Sequence, residues 1–328
     1  RPARCLGRLS HLRGMTIRIV TPAGPEDRNG NSITALRWAR ILRRLGHRVF
    51  VGREYRGEAC DLLVALHARK SAPSIRRYKR LHPNKPLIVA LTGTDLYRDI
   101  RTSAVARASL DVATRLVVLQ SMGLEELPRR LRRKTRVIYQ SAPRMKAQRR
   151  RGNGFVVAVI GHLRPVKDPL RTAYAGRFLD GSQIRIVQVG RALDKNMERR
   201  ARAEMGRNPR YRWIGELPHW KARRFLAGSD LLALTSVMEG SANVLSEAIS
   251  SSVPVIASKI SGLIGTLGKD YPGYFPVGDT HALARLLGRA ASDAGFYRTL
   301  KKRCARLKPL VDPRRERAAW KVLVAELS

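Results

Sequence analysis

Short apolar runs alternate with helix-length stretches along most of the chain. Thr16 to Val20, Val49 to Val51, Asp61 to Leu66, Leu87 to Leu91, Arg115 to Leu119 and Arg136 to Ile138 each read as a strand. After the first of them, Ala35, Trp38, Ala39, Leu42 and Leu45 recur at helical spacing, and Gly46 supplies a stop. The pattern lapses between Gln140 and Gly154, where Pro143, Arg149 to Arg151 and Gly152-Asn153-Gly154 show no apolar period. It restarts with Phe155 to Ile160, Ile184 to Gly190, Tyr211 to Gly215, Asp230 to Thr235 and Val253 to Ala257. Strands alternating with helices in this way predict an α/β protein of two Rossmann-like domains. Residues 15–141 form the first and 155–312 the second, with 142–154 as linker. Residues 1–14 are expected to lie outside the fold. The final stretch, 313–328, is helical, and its face of Trp320, Leu323, Val324 and Leu327 is expected to pack back on the first domain.

Composition narrows the class. A chain of 328 residues, 44% hydrophobic, is long enough for two cores. No apolar run approaches the roughly 20 residues of a membrane span, so a soluble protein is expected. Arg1 to Gly14 is basic and lacks the apolar stretch of a secretory signal. Cys5, Cys60 and Cys304 are far apart and form no C-x-x-C pair, which points away from disulfides and zinc and toward a reducing cytoplasm. The net charge of +40 raises nucleic-acid binding as a function. Against it, the basic residues are spread along the whole chain and aromatic residues make up only 6%, leaving few platforms for base stacking. Small anionic ligands are the better expectation.

The ends of the strands carry the candidate chemistry, because ligands of parallel sheets sit at the strands' carboxyl ends. Glu239 falls on the loop after one strand, Gly240 allows a tight turn, and Ser241 or Asn243 is placed to cap the next helix. The first turn of that helix, running through Ala242, Val244 and Leu245, directs N–H groups at the crevice and suits a phosphate. Glu247, further along, is placed to accept hydrogen bonds from vicinal hydroxyls. The plainer reading of both glutamates is a first-turn acid and a solvated helix residue.

Gly161, Gly190 and Gly215 each end a strand. Arg164 and Lys167 follow the first, three apart, and can converge on a pyrophosphate or stand as a solvated pair. The main chain at Glu216 and Leu217 is placed to meet a nucleobase edge, and Ser258 to Gly262 to close as a loop over a ligand. In the first half, Thr21 to Ser32 is a Gly-, Pro- and Asn-rich loop that includes Arg28 and Asn31. His67, Arg69 and Lys70 follow a strand and suit a phosphate, or are one more basic loop. Thr92-Gly93-Thr94-Asp95 suggests close backbone approach and hydroxyl recognition, or a helix cap.

The order of elements, Glu239 and Glu247 spaced as Glu-x7-Glu, and the Arg164/Lys167 pair together resemble the family 4 glycosyltransferases, two-domain enzymes of the GT-B fold. The resemblance covers nearly all of Met15 to Ser328 and implies two Rossmann-like domains facing each other across a cleft. It implies that Arg164 and Lys167 bind the diphosphate of a nucleotide sugar, Glu247 the ribose, and Glu239 with the amides of Ser241 to Val244 the sugar. It implies no metal and no cofactor. The stretches Thr34 to Arg40, Leu66 to Arg77, Leu91 to Tyr97 and Tyr271 to Pro276 are similar to the selenosugar synthases of selenoneine biosynthesis. That narrower resemblance implies UDP-N-acetylglucosamine or UDP-glucose as donor and selenophosphate as acceptor. His67, Arg69 and Lys70, with Arg28, would then hold the acceptor's phosphate while Thr92 to Asp95 line the crevice. Many family 4 enzymes have His where this chain has Thr92. An alcohol acceptor profits from such a base, whereas selenophosphate is already an anionic nucleophile. The rival readings are a family 4 transferase with an alcohol or thiol acceptor, a basic nucleic-acid-binding protein, and a binding protein that keeps the donor pocket without catalysis, which Thr92 in place of His also fits.

Overall fold

The computed structural model describes residues 14–22, 24, 29–146, 154–179 and 183–327. Arg28, residues 1–13 of the expected extension and residues 147–153 of the expected linker lie outside them.

The first half runs β1 (Thr16–Val20), α1 (Gly30–Arg44), β2 (Arg48–Gly52), β3 (Leu62–Leu66), α2 (Ala72–Leu81), β4 (Leu87–Leu91), α3 (Ile100–Thr102), α4 (Ala104–Asp111), β5 (Arg115–Val118), α5 (Arg129–Arg132) and β6 (Thr135–Val137). β3 and β4 are buried at every position, which explains their unbroken apolar runs. Asn29 starts α1 by accepting the Asn31 and Ser32 N–H groups at 3.0 and 3.1 Å. Gly46, at φ 94°, ends it in the left-handed region that a side chain disfavours.

The second half runs β7 (Phe155–Ile160), α6 (Arg171–Gly176), β8 (Ile184–Val189), α7 (Lys195–Arg207), β9 (Tyr211–Trp213), α8 (His219–Ala227), β10 (Leu231–Leu234), α9 (Asn243–Ser250), β11 (Val255–Ser258), α10 (Ser261–Leu267), β12 (Tyr274–Phe275), α11 (Thr280–Ser292), α12 (Ala294–Arg306) and α13 (Pro313–Ala325). The two sheets have six strands each, ordered β2-β1-β3-β4-β5-β6 and β12-β11-β10-β7-β8-β9. Every ladder is parallel. Strand order reverses between β1 and β3 in one sheet and between β7 and β10 in the other. Such switch points open a crevice at the strands' carboxyl ends, so the topology alone places the candidate sites after β1, β3, β7 and β10.

Two details differ from the sequence reading. β12 is a two-residue strand, too short to show any period. The expected loop Ser258 to Gly262 is mostly regular structure, since Ser258 ends β11 and Ser261 begins α10.

α13 packs against α1. Trp38 and Trp320 are fully buried and meet edge to face, with centroids 4.8 Å apart. Burial of one large apolar side chain contributes about 1.5–3 kcal/mol, and an aromatic pair of this geometry about 0.5–1.5 more. Beside them Glu316, also buried, accepts hydrogen bonds from Trp38 Nε1 at 2.8 Å, Arg37 Nε at 3.0 Å, and Ser141 N and Oγ at 3.0 and 2.5 Å. Its charge is tolerated in the core because a guanidinium and three further donors surround it.

Candidate active site

At the end of the second sheet, glycines bring three strand ends into backbone contact. Gly190 N donates to Gly215 O at 2.7 Å and Gly161 N to Val189 O at 2.9 Å. A Cβ on Gly190 would lie 2.0 Å from the Gly161 oxygen, so no side chain fits there. Trp213 Nε1 holds the Gly190 carbonyl at 2.7 Å. Beyond Gly161 the chain turns through Pro165–Lys167. Thr235, after β10, ties that turn down by donating to Lys167 O and Asp168 O at 3.0 and 2.8 Å. The Lys167 ammonium is thereby carried onto Glu239 Oε1, which also accepts from Ser236 Oγ at 3.0 Å. Lys167 and Glu239 are thus together, while Arg164, just before the turn, has an extended backbone and is exposed.

α9 begins differently from the sequence reading. Neither Ser241 nor Asn243 caps it: the cap position is Ala242, and no side chain accepts from the first turn. Asn243 is already the first helical residue, one position too late to reach its own helix's N–H groups. Its amide reaches α1 instead, accepting from Arg37 Nη1 at 2.7 Å and donating to Gly30 O at 3.2 Å. Asn31 sits in that same first turn of α1. The uncapped start of α9 leaves N–H groups available to an anion. Ser241 and Ala242 are buried, Val244 is half-buried, and Leu245 is part of the core. Glu247 is 9% exposed and already has partners, His219 Nε2 at 2.7 Å and Arg223 Nε at 3.9 Å. His219 opens α8 just past Glu216 and Leu217, so the loop after β9 and Glu247 adjoin. Glu216 itself lies 3.8 Å from Arg191. The sequence reading did not find His219. Its only signal was a polar residue directly after Pro218.

In the first sheet, Asp95 is fully buried and organises the strand ends. Oδ1 accepts from Thr92 N and Gly93 N at 3.0 and 2.9 Å, and Oδ2 from Ala68 N at 3.0 Å. Its carboxylate therefore braces the loops after β3 and β4. His67 has φ 74° and is nearly buried. Nδ1 accepts from Lys70 N at 3.3 Å, which leaves Nε2–H to donate to Thr94 Oγ1 at 3.1 Å. Burial lowers the His67 pKa, outweighing nearby Asp95 and Asp99, and keeps the ring neutral. Arg69 Nε and Arg98 Nε hold Asp99 at 2.8 and 3.1 Å. Burial pushes the Asp99 carboxyl up, but those two guanidinium bonds prevail and hold it below the usual range. Lys70 is exposed.

The two strand-end regions meet. A Cβ on Gly240 would come within 2.3 Å of the Thr92 oxygen and 2.8 Å of Gly93 N. Gly240 is needed for this approach, and its φ lies outside the left-handed region that a tight turn would ask for. To one side, α10 lies on the 3-10 turn Ser121–Leu124, where Gly265 O accepts from Ser121 Oγ and Tyr139 Oη, both at 3.2 Å. α10 is thus packed on the first half and is no loose lid. Among the described residues, no three His, Cys, Asp or Glu side chains are grouped to hold a metal ion. A lysine, a carboxylate and free helix amides on one wall face backbone and exposed cations on the other. Such a cleft suits a hydroxyl-rich ligand carrying phosphate.

Residues 142–306, half of the chain, match the family model described as glycosyl transferases group 1. The chain belongs to this family. The matched part holds the whole wall built from Gly161, Lys167, Glu239 and α9. Among curated relatives of this group 1 member, D-inositol 3-phosphate glycosyltransferase of Salinispora tropica is 30% identical over 154 residues, 43% of this chain and 32% of that protein. The match therefore spans about a third of that relative's length. Among solved structures, Anabaena HepE in complex with UDP-glucose aligns with a TM-score of 0.71 at 16% identity, covering 95% of this chain and 98% of that one. Sucrose-phosphate synthase from Thermosynechococcus elongatus aligns at 0.76 and 16%, over 95% and 98%. A glycosyltransferase from Rickettsia africae aligns at 0.75 and 13%, over 96% and 98%. The group 1 chain thus has the GT-B fold in both halves, and no described helix is long and apolar enough to cross a membrane.

Proposed function

We propose that the protein forms a carbon–selenium bond between selenophosphate and the anomeric carbon of a UDP-sugar, UDP-N-acetylglucosamine or UDP-glucose, giving a selenosugar for selenoneine biosynthesis. Selenium attacks C1 as the bond from C1 to the UDP oxygen breaks, and UDP leaves. Water then attacks phosphorus, the phosphorus–selenium bond breaks, and phosphate is released from the sugar selenol. Lys167, Arg164 and the open amides of α9 offset the charge on departing UDP. Glu247 takes the ribose, Glu239 orients the sugar, and Lys70 with Arg69 draws the acceptor's phosphate to the crevice at Thr92 to Thr94.

The observation that carries the choice of acceptor is His67. Its ring is neutral and both nitrogens are engaged, so it has no lone pair left to take a proton. With Thr92 in place of the family's His, the crevice suits a nucleophile that arrives already deprotonated. A second reading, transfer to an alcohol that itself carries phosphate, draws support from the relative named for D-inositol 3-phosphate.

The test is incubation under anaerobic conditions with each UDP-sugar and selenophosphate, followed by UDP release and by mass spectrometry for a selenium-bearing sugar. Inositol phosphate in place of selenophosphate probes the second reading. Absence of a selenium product across the UDP-sugars would sink the proposal.

A further inference from the structure

The side chains of Arg37 and Asn243 join the two walls of the crevice, whatever ligand the main-chain amides of α9 meet. Asn243 belongs to the second half and sits on the first turn of α9. Its Oδ1 accepts from Arg37 Nη1 at 2.7 Å, and its Nδ2 donates to Gly30 O at 3.2 Å and approaches Thr34 Oγ1 at 3.4 Å. Arg37 is in turn fixed from behind, because its Nε is shared by both oxygens of buried Glu316 at 3.2 and 3.0 Å. Glu316 also holds Ser141, where the chain leaves the first half. A guanidinium anchored by a buried carboxylate has little rotamer freedom left to lose, so the bond it makes to Asn243 is an effective one.

We infer that Arg37 and Asn243 are positioning residues: together they clamp the first turn of α9 against the first turn of α1 and set the spacing of donor and acceptor walls. This rests on the reading that the donor's phosphate meets α9 and the acceptor meets the first half. Asparagine suits the position because one amide supplies an acceptor for Arg37 and a donor for Gly30 O. Alanine supplies neither, and α10 on Ser121–Leu124 would remain as the pivot on the other side.

Two readouts separate the clamp from the assignment of function. Spin labels on cysteines replacing exposed Arg40 in α1 and Arg224 in α8 report the spacing by pulsed electron resonance, without any substrate. In Asn243→Ala the distance distribution should broaden and move to longer values. Steady-state assays with UDP-N-acetylglucosamine and selenophosphate should show kcat reduced about tenfold, with UDP affinity by calorimetry kept within about twofold. A double cycle of Asn243→Ala with Arg37→Lys should be non-additive in kcat, because either change breaks the same contact. An unchanged distance distribution would overturn the inference, as would loss of UDP affinity at unchanged spacing, which would make Asn243 a direct donor ligand. Should wild type give no turnover with selenophosphate, the functional reading fails while the distance measurement still decides the clamp.

Discussion

Replacing Gly240 by alanine probes the contact at the middle of the cleft. The added Cβ would sit 2.3 Å from the Thr92 oxygen, where ordinary contact is 3.4–4 Å. The two backbones must therefore part by about 1 Å. Neither side yields easily. Asp95 grips the Thr92 and Gly93 N–H groups at 3.0 and 2.9 Å. On the other side the Glu239 carbonyl lies so close to Gly262 that a Cβ there would be 1.7 Å from it. Overpacking of this kind costs about 1–3 kcal/mol, visible as a lower urea midpoint. The kinetic cost is larger, since misplacing reacting groups by about 1 Å can reduce the rate about 100-fold. The assay is UDP release from a UDP-sugar and selenophosphate beside urea unfolding of both proteins. Wild-type turnover and an unchanged midpoint in Gly240→Ala would refute the contact as the working arrangement.

Lys70→Ala should raise KM for selenophosphate about tenfold and leave UDP affinity unchanged in initial-rate and calorimetric measurements; a loss of UDP affinity would move Lys70 to the donor wall. Burial lowers the His67 pKa, so its neutral form contributes stability above the unfolded value near 6.5, and that contribution is lost as pH falls from there toward the folded pKa. His67→Asn, which tolerates the left-handed backbone, should flatten the fall in unfolding free energy as pH drops below about 6.5, with His47, lowered by burial in the same way, retaining part of the slope in both proteins. An unaltered slope would mean that His67 is not held neutral. Glu316→Ala should destabilise by about 3–5 kcal/mol in chemical denaturation, because the largely buried Arg37 guanidinium, the Trp38 N–H and Ser141 would lose their shared acceptor; a loss under about 1 kcal/mol would count against the pair.

β3 and β4 were legible because a parallel strand buried on both faces reads as an unbroken apolar run, while β1 and β8 showed as β-branched runs broken by an outward-facing arginine. Once the runs were placed, so were the loops at their carboxyl ends. That put Lys167 and Glu239 on loops of one sheet and His67 and Thr94 on loops of the other, though not their direct contacts. What stayed hidden depends on partners remote in sequence. Asn243 looks like a cap until Arg37 claims it from 206 residues away. That Asp95 accepts from three backbone N–H groups on two loops could not be read from its neighbours in sequence. Glu316 had one faint signal, a single acid in the arginine-rich start of the last helix, and no local pattern could show that Trp38 and Ser141 would surround it.

The pairing of α1 with α13 also bears on how the chain is made. Trp38 and Glu316 are 278 residues apart, and at about 5–20 residues per second the ribosome needs roughly 15–55 s to synthesise what lies between. During that interval the first sheet can assemble, but the side of Trp38 that meets Trp320 has no cover, and Arg37 has no carboxylate to meet. The first half is thus completed last, and a nascent chain that stalls before α13 presents a tryptophan-bearing apolar face of the kind chaperones bind.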